Sequence, residues 1–218
     1  MKAVAAVLGF GQPHLIWNTH TQLKGQFVLV DNGSQPPLSH SGRIIRHDKN
    51  TYFTGGWNKA MRQFHHEGYR WVWMLNSDLE GLYPEMLGEL VQIAESMGPS
   101  CAAISATYNS PHAFMNAQSG PSPREVRWLD WAGPLVNTEW FSGAGGFDEQ
   151  FFGYGADIDL CKTLTPLGAK FYVVDWLLFH HLGSITAIAE GISKHIDVGH
   201  MNRVLHQKWG VRGWSEMF

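Results

Sequence analysis

Through the first hundred residues, apolar runs of strand length alternate with segments of helical length, and that alternation leaves little choice of architecture. Ala3–Leu8 reads as a buried strand, His14–Lys24 carries a loose helical pattern, and Phe27–Val30 is a second strand. The turn formers Asp31-Asn32-Gly33-Ser34 and Pro36-Pro37 stop it. Arg43–Arg46 is a short third strand, and Gly55–Gly68 a helix with Trp57, Ala60, Met61 and Phe64 on one face. Trp71–Leu75 is a fourth strand, Pro84–Met97 a helix with Pro at its first turn, and Cys101–Ala106 a fifth strand. Strands separated by crossover helices pair in parallel, so the expectation is an α/β fold: an open, mostly parallel, Rossmann-like sheet flanked by helices. Ligands of such sheets sit at the carboxyl ends of the strands. That rule directs attention to Gly9–Pro13, Asp31–Ser34 and Asn76–Glu80.

The second half is less regular. Thr107–Arg127, with three Pro, reads as a long loop. Strand-like Trp128–Asn137, a Gly-rich turn around Gly143–Gly146, a helix near Asp157–Leu167, a strand over Lys170–Asp175 and a helical region from about Ile185 follow. The 218 residues hold no repeat or linker, and 44% are apolar against 16% charged, which suits one well-packed domain. A net charge of −3 speaks against a uniformly basic, nucleic-acid-coating surface. Cys101 and Cys161 form no Cys-x-x-Cys, so a disulfide scaffold and a cysteine zinc cluster both fit poorly. No run reaches eighteen apolar residues and no secretory leader stands at the N-terminus, so a soluble, cytoplasmic protein without a membrane span is expected (host-cell cytoplasm if the chain is viral).

Each chemical motif has a plain structural reading beside it. Gly9-Phe10-Gly11 follows the first strand, but the third glycine of a dinucleotide cradle is replaced by His14, which leaves a nicotinamide dehydrogenase the weakest reading. Asp31 at the end of strand two suits a base or ribose contact, or simply shapes an Asp-Asn-Gly-Ser bend. Asn76-Ser77-Asp78 after WVWML places a carboxylate where a hard divalent cation could bridge phosphates, or is a strand-to-helix turn. In Gly153-Tyr154-Gly155-Ala156-Asp157-Ile158-Asp159, carboxylates at i and i+2 face different sides of a helix, so one can enter a cleft while the other caps or meets solvent. The glycines flanking Tyr154 mark a close approach by backbone or ligand. His180-His181 could supply one metal ligand, whereas His65-His66 reads as an ordinary helix pair.

The order of these motifs resembles that of family-2-type GT-A glycosyltransferases, the rhamnosyl- and galactosyltransferase-like enzymes that use nucleotide sugars. The telling stretch is GGFDEQFFGYGADIDLCKTLTPLGAKFYVVDWLLFHHLGS, Gly145–Ser184, similar to that family's acceptor-side block. VLVDNGS resembles its nucleotide-binding strand end, NTYFTGGWNKAM its Asn- and Gly-rich helix start, and MLNSDLE stands where the family has Asp-x-Asp. The resemblance covers the chain to about Ser184. It implies a single GT-A domain over residues 1–218, with 1–106 binding the donor, 107–184 the acceptor, and 185–218 forming a helical tail. It assigns Asp31 to the nucleoside, Asn58 to the donor's surroundings, Asp78 to Mn2+ or Mg2+ bridging the diphosphate with Asn76 as its partner position, Asp157 to the catalytic base, and His180 to the metal shell with His181 as the alternative register. Ala156 stands where the family has a Glu that helps hold the acceptor.

The implied activity is inverting transfer of a sugar from a nucleotide-diphosphate donor to an acceptor hydroxyl, most naturally a saccharide's. The tail offers an alternative acceptor: Gly191–Gly213 carries Lys194, Arg203, Lys208 and Arg212 against Asp197, a local charge of +3, with His195, His200 and His206 and with Trp209 and Trp214. Such a segment suits hydroxymethylated bases of viral DNA, or is a solvated helix. Asn76 and Ala156 also permit a domain that binds nucleotide or glycan without chemistry.

Overall fold

The computed structural model describes residues 2–183, 185–189, 191 and 197–218. The chain runs β1 (Ala3–Gly9), α1 (Pro13–Gln22), β2 (Val28–Asp31), β3 (Ile44–Arg46), α2 (Tyr52–His66), β4 (Trp71–Asn76), β5 (Leu79–Glu80), α3 (Met86–Ser96), β6 (Cys101–Thr107), β7 (Arg124–Val126) and β8 (Leu135–Asn137). It continues through α4 (Thr138–Gly143), α5 (Ala156–Leu164), β9 (Lys170–Leu178), β10 (His180–His181), α6 (Ile185–Ala189) and α7 (Val198–Trp209). One sheet takes the order β3-β2-β1-β4-β8-β6-β9-β7, and β5 and β10 form a separate antiparallel pair.

The alternating first half folds as its sequence implies. β1 lies between β2 and β4, parallel to both, with Gly9 opposite Asp31 and Leu8 opposite Asn76. Three strand ends are thereby brought level at one edge of the sheet. Helices cover the sheet, and Trp57 and Phe64 of α2 are fully buried with Trp71 and Trp73 of β4.

The second half departs from a purely parallel sheet. β8 enters antiparallel between β4 and β6. Of the expected strand over Trp128–Asn137 only the last three residues are regular. Pro134 has no N–H to continue a ladder, although the carbonyls of Ala132 and Pro134 still accept from Asn76 N (3.0 Å) and Met74 N (2.9 Å). The expected loop over Thr107–Arg127 contains a 3-10 turn at Ala113–Met115 and the edge strand β7. An Arg124–Asp175 ion pair at 2.9 Å straps it to β9. The expected C-terminal helix is α6 and α7, while Lys194 and His195 lie outside the described residues. Among the described residues no helix is long and apolar enough to cross a membrane.

The turn after β2 is built around one carboxylate. Asp31 Oδ1 accepts from Ser34 N at 3.0 Å, and Oδ2 accepts from Leu38 N at 3.0 Å and from Arg46 Nη1 at 2.6 Å. Gly33 is required here, because at φ +82 a Cβ would come within 2.3 Å of the Lys49 carbonyl carbon. Asp31→Ala would orphan two backbone donors and uncouple Arg46, at a cost of about 2–3 kcal/mol. Urea unfolding should show a lower midpoint with an unchanged slope; an unaltered midpoint would mean the turn holds without its carboxylate.

Candidate active site

At the carboxyl edge of β1, β2 and β4 the sheet opens into a cavity of about 230 Å³. Its walls come from Leu8–Phe10 at the end of β1, Asn32 after β2, the head of α2, Asn76–Asp78 at the end of β4, the segment before β8, and the loop leading into α5.

Asp78 is buried in this wall. His181 Nε2 lies 3.2 Å from Asp78 Oδ1, and Ile185 N donates to Oδ2 at 3.4 Å. Asn109 clamps the His181 backbone, donating to its carbonyl (3.1 Å) and accepting from its N–H (2.8 Å). Burial pulls the His181 imidazole toward neutrality, but the hydrogen bond and charge of Asp78, with a further contribution from Asp130, raise its proton affinity overall. His180, assigned by resemblance to the metal shell, is exposed on β10 and does not line the cavity. Alternation along the strand sends one histidine of the pair inward and the other out.

The two carboxylates of α5 separate as their spacing requires. Asp157 lines the cavity, with its Oδ1 accepting from Ile158 N at 2.8 Å. Desolvation, with the charge of Asp130 second, pushes its carboxyl up to about 7. Asp159 is buried on the other side of the helix, where Lys208 Nζ (2.9 Å) and Trp209 Nε1 (2.7 Å) of α7 both meet it. It neither caps nor meets solvent, a departure from expectation that follows from α7 packing over α5. Lys208 also bridges to Asp148 at 2.9 Å. The close approach flagged by Gly155 is made by the protein itself: at φ +88, a Cβ there would sit 2.6 Å from Met201 of α7.

Asp31 and Asn58 do not line the cavity. The Asp31 carboxylate is occupied by its turn. Asn58 is a buried staple: its Oδ1 accepts from Phe147 N (2.8 Å), and its Nδ2 donates to Phe147 O (2.9 Å) and Glu149 Oε1 (3.0 Å). Asn76 does line it, beside Asp78. Ala156 is fully buried and sends no group into the cavity. Sequence reasoning missed Asp130, which lines the cavity and accepts from Ser110 Oγ at 3.1 Å. An isolated Asp between two Trp gives no motif by which to find it. Thr186 was missed as well; it lines the cavity with its hydroxyl buried and without a hydrogen-bond partner among the described residues.

No family model matches the chain. N-acetylglucosaminyl-diphospho-decaprenol L-rhamnosyltransferase of Mycobacterium tuberculosis is 30% identical over 103 residues, 47% of this chain and 33% of the relative, in two strains. The match thus spans about a third of the curated relatives' length. Three solved structures share the fold at low identity. GalNAc-T7, crystallised with UDP, GalNAc and Mn2+, aligns with a TM-score of 0.61 and 10% identity over 83% of this chain and 44% of that one. TarS 1-349 of S. aureus aligns at 0.57 and 12% over 99% and 75%, and A197 from STIV at 0.54 and 12% over 84% and 86%. The chain therefore has the α/β fold of GT-A glycosyltransferases.

Proposed function

We propose that the protein transfers a sugar from a nucleoside-diphosphate sugar to an acceptor hydroxyl with inversion, and that Asp157 is the general base. The observation that carries this reading is the placement of Asp157, a carboxylate of raised proton affinity, in the same cavity as the Asp78–His181 pair. Residues 1–106 supply most of the donor side and 107–184 most of the acceptor side.

The carboxylate of this pair suits Mn2+ or Mg2+, and the imidazole beside it favours Mn2+, the softer of the two. Among the described residues no three His, Cys, Asp or Glu side chains gather to cage an ion. Two protein ligands with substrate phosphates completing the shell fit that arrangement, and Thr186, whose buried hydroxyl has no hydrogen-bond partner among the described residues, lines the same cavity. Asp78 and His181, in place of His180, would hold the ion, which when bound neutralises charge on the departing diphosphate. Asp157 accepts the acceptor's hydroxyl proton as that oxygen forms its bond to the anomeric carbon. The bond from that carbon to the diphosphate breaks on the opposite face, and the configuration inverts. Asp130 raises the proton affinity of Asp157 by charge. Asn76 completes the wall beside Asp78, while Asp31 and Asn58 act indirectly by holding loops.

A saccharide is the acceptor we favour. The fold neighbour GalNAc-T7 was crystallised with UDP, GalNAc and Mn2+, and the curated relative's name describes a rhamnosyl transfer. The DNA alternative is weakened at two of the tail's basic residues, since Lys208 is engaged by Asp148 and Asp159, and Arg212 by Glu216 at 2.7 Å.

Thermal unfolding with UDP, GDP, dTDP and CDP and their sugars, with and without Mn2+, tests the donor. One nucleotide at about a hundred times its Kd should raise Tm by roughly 5–10 °C in a metal-dependent way. No shift with any of them would refute the reading. Asp157→Asn should lower kcat by about 10²–10⁴ while nucleotide binding persists. For the unaltered enzyme kcat/KM should rise with pH and level off above about 7, as the base loses its proton. Full activity in the variant would remove Asp157 from the role. The same residue makes a stability prediction. Its folded proton affinity lies above the ordinary value of 3.8, so wild-type stability falls as pH rises from about 4 to about 7. Asp157→Asn should therefore gain on the wild type across that window and keep a constant advantage above it.

A further inference from the structure

A second hollow, of about 400 Å³, shares no lining residue with the active-site cavity. Val198 and Asn202, one turn apart on α7, line it together with residues 212–216 of the tail. No step of the reaction derived above uses it.

The fold leaves two of its groups open. Trp214 is 44% exposed. Its ring neighbours, His112 at 5.1 Å and 72° and Trp128 at 6.3 Å and 58°, meet it edge-on or tilted. Among the described residues, then, no ring lies flat against either of its faces. Asn202 Oδ1 is buried, and among the described residues no hydrogen-bond donor reaches it. A buried carbonyl oxygen is costly unless a ligand or solvent donates to it. Gly213 stands before that oxygen, and an added Cβ would come within 3.3 Å of it. At φ −178 the backbone of Gly213 is extended and open to any residue, so what glycine supplies here is space.

The tail is fixed where it presents these groups. Arg212 Nε donates to Glu216 Oε1 and Arg212 N to Glu216 Oε2, both at 2.8 Å. Met217 is fully buried, and its carbonyl accepts from Lys162 Nζ. The Arg212–Glu216 pair cancels the two formal charges among the lining residues, so the hollow is polar and neutral. Two short paths join it to the active site. Trp214 contacts His112, whose N–H donates to Ser110 Oγ at 3.0 Å, and that hydroxyl donates at 3.1 Å to Asp130 on the cavity wall. On α7, His200 stacks at 4.8 Å on Phe152, which lines the cavity.

A pyranose ring carries C–H bonds on its faces and hydroxyls around its rim. A half-exposed indole beside neutral polar groups matches that shape, the ring meeting the C–H face and the amide oxygen accepting from a hydroxyl. We propose that the hollow is an acceptor subsite for a neutral sugar ring lying at least one unit behind the ring that reacts, with Trp214 against its C–H face and Asn202 Oδ1 accepting from a hydroxyl. The inference rests on the saccharide-acceptor reading above. It makes the substrate a chain of sugars rather than a single ring.

The test applies the full chain and its Trp214→Ala and Asn202→Ala variants to an array of neutral glycans graded from single rings to hexasaccharides. Calorimetric titration then compares the best-bound oligosaccharide with the methyl glycoside of its non-reducing terminal sugar, and thermal unfolding is run alongside. The wild type should bind the oligosaccharide roughly tenfold or more tighter than the methyl glycoside. Each variant should cut that ratio to less than about threefold while leaving the methyl glycoside's affinity unchanged. The Tm of Asn202→Ala should equal or exceed that of the wild type, because alanine removes an oxygen for which the described residues supply no donor. A ratio kept by either variant overturns the proposal, as does a wild type that binds single ring and chain alike. A lower Tm in Asn202→Ala with equal loss of both ligands would make the residue structural and overturn it too. If a nucleotide shifts the wild-type Tm but no glycan on the array binds, the saccharide reading falls, and this inference with it, while the donor reading stands.

Discussion

Parallel pairing of β1 with both β2 and β4 is the constraint on which the remaining structure depends. Parallel strands point their carboxyl ends the same way, so the register that sets Gly9 beside Asp31 and Leu8 beside Asn76 gathers three strand ends into one edge. Every loop leaving that edge then starts within reach of the others. Asn32 can meet Asn50 and Tyr52, and Asp78 can meet His181 across more than a hundred residues of chain, because the sheet has already brought their anchors together.

A second arrangement aims Asp157 into the cavity. The buried Asp159 is satisfied by Lys208 and Trp209, and Lys208 reaches on to Asp148. A buried charge left unpaired would be costly, so this network fixes how α7 lies over α5. With Asp159 committed to the tail, Asp157, two positions earlier, can only face the cavity. The basic and aromatic residues that made the tail look like a nucleic-acid contact are in part the means by which α5 is held.

Much of this was legible in the sequence. The strand–helix alternation, the Asp-Asn-Gly-Ser bend and the helix carrying Asp157 are local patterns of apolar period, turn chemistry and charge spacing, and they fold as such. The elements that read less well are those decided by distant partners. β8 is three residues long because Pro134 interrupts its ladder and β4 and β6 supply its pairing. The head of α2 starts at Tyr52 rather than Gly55 because two asparagines impose the backbone there.

The sequence by itself determined the fold class, the edge of the sheet where a site must lie, and the helical face on which Asp157 stands apart from Asp159. Those follow from period and local sterics. Which histidine of the pair meets Asp78, that Asp31 and Asn58 are spent on holding loops, and that Asp130 joins the cavity were decided by the tertiary structure alone. A carboxylate, amide or imidazole reads the same in a string whether it is free or occupied. Its hydrogen-bond partners, tens of residues away, settle the difference.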